Sequence, residues 1–301
     1  MTEADSKAES IETAPKKPRM PLRTRIIFFV VAWAIVLMPF LFWRSTWFGR
    51  PLTDTEITEY LRDDSRPRHI QHALVQIADR MAKARATGRA PADAARQWYP
   101  ELVRLAKHPV EEIRNTDAWL MGQDPSRPEF HRALFAMLED GSLGVRNNAA
   151  LSLVSFGDDA GHQQISAMLA PAEVKSVVAG EVAAVAKAGD SIRGGTMVAR
   201  LDVQGLSNAG PVKTSFDIRS PISGKLRSVA VKKGDHVPGD ALVAIVDPGP
   251  EQVWEALRAL YMIGNKDDLP LVRRYEAANP DMPDKVREQA RNTEKAILAR
   301  K

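Results

Sequence analysis

Six histidines carry most of the chemistry open to this chain, because it contains no cysteine: His69, His72, His108, His131, His162 and His236. The lack of thiols removes disulfides, thiolate zinc sites and cysteine nucleophiles. His69 and His72 stand three apart on one face of a predicted helix, a spacing that lets two imidazoles approach one metal ion. The residue types beside them complete no ligand set, so packing at the surface or in a groove is expected. Asp158-Asp159 followed by His162 reads as a turn with a helix N-cap. The sequence holds no Gly-rich phosphate loop, no Gly-x-Ser-x-Gly elbow and no His-Glu-x-x-His helix, the usual starts for phosphoryl transfer, acyl transfer and zinc hydrolysis. We therefore expect no catalytic residue, no metal ligand and no cofactor. One residue stays open: Lys213, in "GPVKTSFDIRSPISG" (210–224), lies seven positions before Ser220-Pro221.

Charge narrows the partners. The 42 Lys and Arg are interspersed with 38 Asp and Glu, for a formal charge of +4. Such a balance describes a solvated, mixed-sign surface and not a counterion-releasing nucleic-acid face. Nucleic acid is not an expected partner.

The elements that must position these residues begin with "IIFFVVAWAIVLMPFLFW", residues 26–43, eighteen uncharged positions of which twelve are Ile, Leu, Val or Phe. As a helix that run is about 27 Å long, close to the hydrocarbon thickness. It predicts an anchor over 26–48, with Trp43, Trp47 and Phe48 as an interfacial aromatic belt. "FWRSTWFGR" offers no small-x-small cleavage site, which disfavours a signal peptide. Lys16, Lys17, Arg19, Arg23 and Arg25 precede the run, against Arg44 and Arg50 after it. The positive-inside rule then places a polar, disordered tail (1–25) in the cytoplasm and everything beyond the span outside it.

Residues 52–171 read as helix after helix. Thr53 is a capping candidate, and Ile70, Leu74, Ile77 and Met81 recur at helical spacing before Gly88. "ADAARQWYPELVRLAKHP" stops before Pro109, and "GS" (141–142) separates two further helices. Ile113-Arg114-Asn115 and Val145-Arg146-Asn147 repeat at a period of 32. "LGVRNNAALSLVSFGDD" resembles the HEAT repeat, in which an apolar-Arg pair leads into an Ala/Leu-rich helix ending near Gly-Asp. Alanines 149 and 150 suit a close helix–helix seam, and Leu151, Leu153 and Phe156 form a face that one hairpin cannot bury alone. Arg114, Asn115, Arg146 and Asn147 are expected to make inter-repeat hydrogen bonds. After residue 248 the pattern returns over 249–301, with Leu257, Leu260 and Ile263 inward, Gly264 at a helix end, and Val286-Arg287 echoing the apolar-Arg pair.

Between them, residues 173–248 are duplicated. Gly189–Asp202 and Gly234–Asp247 align without a gap at a shift of 45, with six of fourteen positions identical. Alternating apolar residues split by glycines predict strands and tight turns, with positive φ at Gly189, Gly194, Gly234 and Gly239. This duplication resembles the biotinyl/lipoyl fold, or barrel-sandwich hybrid, in which two quasi-equivalent halves interlock. In carrier members of that fold the modified lysine sits at a hairpin tip seven residues before a Ser/Ala-Pro pair, which singles out Lys213. Its neighbours here are "PVKTS", and "VQGLSNAGPV" adds about ten residues of predicted flexible loop. A solvated, unmodified lysine is therefore expected.

The resemblance also extends to periplasmic adaptors (membrane fusion proteins), which share a cytoplasmic tail, one anchor and an external lipoyl-like domain. It lacks their long helical hairpin and following β-barrel. The fold class expected is thus multidomain: a single N-terminal transmembrane helix, HEAT-like α-helical repeats and an all-β lipoyl-like domain. The implied function is a non-enzymatic scaffold or adaptor at the inner membrane, single-pass, with its bulk periplasmic. Its implied partners are the bilayer, transporter or envelope subunits, and further copies of itself. The alternatives are a carrier modified at Lys213, and an envelope structural or sensory protein without a transporter.

Overall fold

The computed structural model describes residues 21–46, 50–207 and 210–300. The chain divides into two units, Met1–Pro51 and Leu52–Lys301. The described part of the first is one helix, α1 (Leu22–Thr46). It begins inside the expected disordered tail, so residues 22–25 are helical.

The expected membrane anchor is corrected here. Among the described residues, no helix is long and apolar enough to cross a membrane. The single-pass inner-membrane location, with the bulk periplasmic, rested on that span and is withdrawn with it. Trp43, Trp47, Phe48 and the flanking Lys16, Lys17 and Arg19 lie outside the described side chains.

The second unit corrects the fold class. It is mixed helix and sheet, and its helical and β segments belong to one compact unit. Helices α2 (Asp54–Leu61), α3 (Pro67–Ala86), α4 (Pro91–Ala95), α5 (Tyr99–Leu105), α6 (Glu111–Met121), α7 (Pro128–Met137), α8 (Leu143–Ser155) and α9 (His162–Ala167) precede the sheets. Helices α10 (Pro250–Ile263), α11 (Leu269–Arg273) and α12 (Asp284–Ala299) follow them.

Local sequence explains the helix limits. Thr53 caps α2 in a capping box with Glu56, satisfying two otherwise orphan backbone donors. In α3, Ile70, Leu74, Ile77 and Met81 are all fully buried, each stabilising by about 1.5–3 kcal/mol. Gly88 then takes φ +74°, the left-handed conformation that ends a helix most cheaply in glycine. Ser142 caps α8 by accepting from the Val145 N–H. The segment expected as one helix up to Pro109 is broken: a 3-10 turn at Arg96–Trp98 separates α4 from α5. There Trp98 turns inward to full burial and its indole N–H donates to Thr58 Oγ1 at 3.1 Å.

The helices form two layers. In one, α3, α6, α8, α10 and α12 pack in that order, each on the next. The other layer pairs α2 with α3, α5 with α6, α7 with α8, α9 with α10 and α11 with α12. The row therefore runs without interruption across the β segment, which loops out between α9 and α10. Ala150 and Val154 of α8, Ile165 of α9, Leu257 and Leu260 of α10 and Ile297 of α12 share one buried cluster. Burying the same apolar stripe from both flanks is what draws the chain back after the long excursion of strands and turns.

Strands β1 (Ala172–Lys175), β2 (Gly180–Val185), β3 (Ser191–Ile192), β4 (Met197–Ser207), β5 (Gly210–Arg219), β6 (Gly224–Val229), β7 (His236–Val237) and β8 (Leu242–Pro248) form two four-stranded antiparallel sheets. One has the order β1-β8-β6-β3 and the other β5-β4-β2-β7. Advancing every strand number in the first sheet by four, cyclically, produces the second. Each sheet takes two strands from each half of the duplication, so the halves interlock and bury Val182, Leu201, Leu226 and Val246 between them.

The pseudo-symmetry reaches individual hydrogen bonds. Gly189 N donates to Leu226 O at 2.7 Å, and Gly234 N to Val182 O at 2.8 Å. Ser220 Oγ donates to Ile222 O at 2.6 Å, and the buried Ser176 repeats the motif on Val178 O. Positive φ occurs at Gly189 and Gly234 as expected, but the second pair lies one residue later than expected, at Gly195 and Asp240. The related Gly180 and Gly224 are needed for a different reason: a Cβ would press on the carbonyl oxygens of Asp202 and Asp247 respectively.

Candidate functional site

Lys213 lies in β5, opposite Gln204 of β4, and two registered pairs, Gly205–Val212 and Leu206–Pro211, stand between it and the Ser207–Gly210 pair. The described residues of the segment expected as a flexible loop, 203–207 and 210–212, are instead part of an antiparallel ladder, paired from Val203–Thr214 to Ser207–Gly210. A modifying enzyme requires a lysine presented at a turn. Here the backbone of Lys213 is held within a strand.

The histidines disperse. His69 Nδ1 lies 2.9 Å from Asp63 Oδ2 and its ring stacks on Tyr60 with centroids 4.2 Å apart. Asp63, six positions upstream, is the carboxylate partner that helical spacing did not reveal. His131 Nε2 pairs with Asp158 Oδ2 at 2.6 Å. Among the described residues, no three His, Cys, Asp or Glu side chains are grouped to hold a metal ion.

His162 does more than form a turn. Its Nε2 lies 2.8 Å from Asp268 Oδ2, and the other Asp268 oxygen accepts from Ser166 Oγ at 2.5 Å. The Asn265 N–H also donates to Asp268, at 2.8 Å. Asp268 is buried, so its charge is met by donors from both sides of the β insertion. The imidazole and the hydroxyl both turn to the carboxylate and not to each other, an arrangement suited to clamping and not to activating a nucleophile. Nearby, Tyr275 Oη donates to Leu169 O at 2.7 Å, and burial pushes its hydroxyl up to about 12.

Of the repeated arginines, Arg114 reaches the following repeat, whereas the bond of Arg146 stays within its own. Arg114 donates to both oxygens of Asp140, at 2.7 and 2.8 Å, and to the His108 carbonyl at 2.8 Å. That bidentate pair holds the Asp140 carboxyl below its usual range. Arg146 reaches the Asp140 carbonyl oxygen at 2.6 Å. Across the seam, Asn148 Nδ2 donates to Asn115 Oδ1 at 3.0 Å, while Asn147 accepts from Gln164 at 2.6 Å. Arg287 departs from the pattern: it pairs with Asp284 on its own helix.

A groove of about 1250 Å³ is lined by α6, α8, α10 and α12. Its floor is tight: Gly122 lets Ser152 approach, and Ser152 Oγ donates to Ala118 O at 2.9 Å. Its walls carry Trp119 from α6 and Tyr261 and Met262 from α10, exposed by 46%, 48% and 60%. Half-exposed large apolar residues facing one concavity are unusual for a surface with no partner. Sequence reading passed over this site. Its signal was present as Trp119, Tyr261 and Met262 off the inward helical stripes, but nothing local pairs residue 119 with residue 261.

No family model matches the chain, and no curated protein matches it significantly. The geometry is therefore the ground for its function.

Proposed function

We propose that this chain is a non-enzymatic scaffold: a helical docking array carrying a doubled β module as a rigid insert. The observation that carries the reading is that helices from both sides of the insertion complete one array and jointly line a groove. Resemblance of the helices to HEAT repeats and of the insert to the barrel-sandwich hybrid supports it, since both serve elsewhere as assembly surfaces. The membrane-tethered adaptor form fell with the anchor, and the transporter partner inferred from it is not carried forward.

The test pairs affinity capture by the full-length chain with measurement of its intact mass. The expected result is a protein retained in stoichiometric amount and a mass equal to that of the unmodified sequence. A lipoyl or biotinyl increment on Lys213, or a chain recovered alone at native abundance, would overturn the scaffold.

A further inference from the structure

The β module is held to the helical array at few points. Among the described residues no helix packs along a strand, although Leu143 of α8 touches the core of the module. The chain crosses between the two parts through residues 168–171 and through Gly249. A cleft of about 580 Å³ opens between them, and the segment 274–283, which joins α11 to α12, lines part of its helical wall. That segment works as a strap. Its Tyr275 donates to Leu169 O at 2.7 Å, fixing the linker into β1. Its Asp281 accepts from Lys225 Nζ of β6 through both oxygens, at 2.9 and 2.8 Å. Among the described residues this is the one ion pair that joins a strand to the helical part, and both members are half-exposed, so water screens it.

A pair of carboxyl groups fastens the strap to α12. Glu276 hydrogen-bonds to Glu294 of α12, and its Oε1 is buried without a partner. Two carboxyl groups share such a bond only when one of them carries a proton. Arg273 Nε donates to Glu294 Oε1 at 2.7 Å, which marks Glu294 as the ionised partner and Glu276 as the acid. Arg291 of α12 is the further charge that faces the pair. Burial and the Glu294 carboxylate push the Glu276 carboxyl above its ordinary range. Arg273, and then Glu276, hold that of Glu294 below its own. Tyr275 and Met282 add some apolar contact with the helical cluster. The strap is thus seated by one proton-dependent bond on a modest apolar base.

We propose that the Glu276–Glu294 pair is a proton-operated latch: with its proton it holds the strap on α12 and the β module against the array, and without it the strap lifts and the module swings about residues 168–171 and 249. This goes beyond the scaffold reading and does not depend on it. The proton leaves to solvent, and two carboxylates then repel across a half-buried contact in which one oxygen already lacks a donor. A released Glu276 ionises in the ordinary range, near 4.5, whereas the latched one keeps its proton to higher pH. The latched state is therefore fully favoured below 4.5 and loses ground as pH rises above it. Glu294 stays ionised over that window and adds no slope of its own. Each pH unit between ionisation of the open and the closed carboxyl shifts the equilibrium tenfold.

Hydrogen exchange of the full-length chain at pH 5 and pH 8, divided by the intrinsic rates, reads the strap through the Tyr275 and Glu276 amides, which donate to Val272 O and Arg273 O. In wild type their protection should fall about fivefold or more between the two pH values, with α3 unchanged. Glu276→Gln keeps a donor for Glu294 but cannot ionise, so its protection should stay within about twofold. The absence of cysteine lets a spin label be placed at each of two exposed positions, Asp79→Cys in α3 and Lys232→Cys in the module. Their distance distribution should broaden at pH 8 in wild type and not with Glu276→Gln. Thermal melts show whether each variant folds. Should Glu276→Gln not fold, Glu294→Gln decides, because without the second carboxylate the step with pH should shrink. Wild-type protection indifferent to pH, a full-sized step in either folded variant, or a strap that opens while the label distance stays fixed overturns the proposal.

Discussion

Asp117 is the residue whose replacement tests the physical account most sharply. It sits on α6 with no exposed surface, and neither carboxylate oxygen has a hydrogen-bond partner. Burial pushes its carboxyl well above the ordinary range, and the distant positive charge of Arg104 offsets this only in part. An acid whose folded pKa is raised favours folding fully below its unfolded pKa, near 3.8. As pH rises above that value the unfolded chain ionises while the folded one stays protonated. Stability then falls by about 1.4 kcal/mol per pH unit until the folded carboxyl ionises too. Even neutral, an unpartnered buried polar group costs about 1–3 kcal/mol. Asp117→Asn keeps the shape and the unmet polar atoms but cannot ionise. Asp117→Leu removes both penalties. Urea melts of wild type and both variants at pH 4, 5.5 and 7 resolve the two effects. At pH 4, Asp117→Asn should match wild type, and its advantage should grow toward pH 7. Asp117→Leu should be more stable by about 1–3 kcal/mol at pH 4, or several degrees in Tm, with a margin that widens toward pH 7 in parallel with that of Asp117→Asn. Paired carboxylates such as Asp140 tilt the wild-type curve the other way, so the difference between variant and wild type is the readout. A difference that stays flat from pH 4 to 7, or an Asp117→Leu protein less stable at every pH, would refute the reasoning.

Three further outcomes follow from the packing. Asp140→Ala strands the Arg114 guanidinium and should cost about 2–3 kcal/mol in a denaturant melt. The depressed pKa of Asp140 places its contribution above the unfolded value, so it is lost as pH falls, and the variant gap should close toward pH 3. Gly224→Ala drives a Cβ into the Asp247 carbonyl and should cost about 3 kcal/mol, the upper range for overpacking. Its pseudo-symmetric counterpart Gly180→Ala, with 2.8 Å to Asp202 O, should lose less in the same assay. Asp268→Ala opens the clamp between α9 and the segment after the insertion, and hydrogen exchange should quicken in α9 and α11 before it does in α3.

Much of the architecture could be read residue by residue. The stripe Ile70, Leu74, Ile77, Met81 determines α3 because one period decides which side chains are buried, and Thr53 with Glu56 determines where α2 starts. The duplicated Gly-Asp turns predicted two equivalent halves, since positive φ at Gly189 and Gly234 is a local demand. Local reading went wrong where pairing is non-local. The hairpin carrying Lys213 looked like a loop because Gly205, Asn208, Gly210 and Pro211 weaken strand propensity, yet registered pairing of β4 with β5 overrides it. At α1, counting uncharged positions predicted a span that the described helix does not support.

What the sequence determined by itself is therefore the periodic and conformational part: helix faces, caps, left-handed turns, and the internal repeat of the β region. Only the tertiary structure decided that α10 and α12 continue the row begun by α3, α6 and α8, and that Asp268 meets His162 from 106 positions away. It alone brought Trp119 and Tyr261 to one groove. The physical reason is that periodicity tells a residue which way to face, whereas the partner it faces is chosen by closing the whole chain around shared apolar surface.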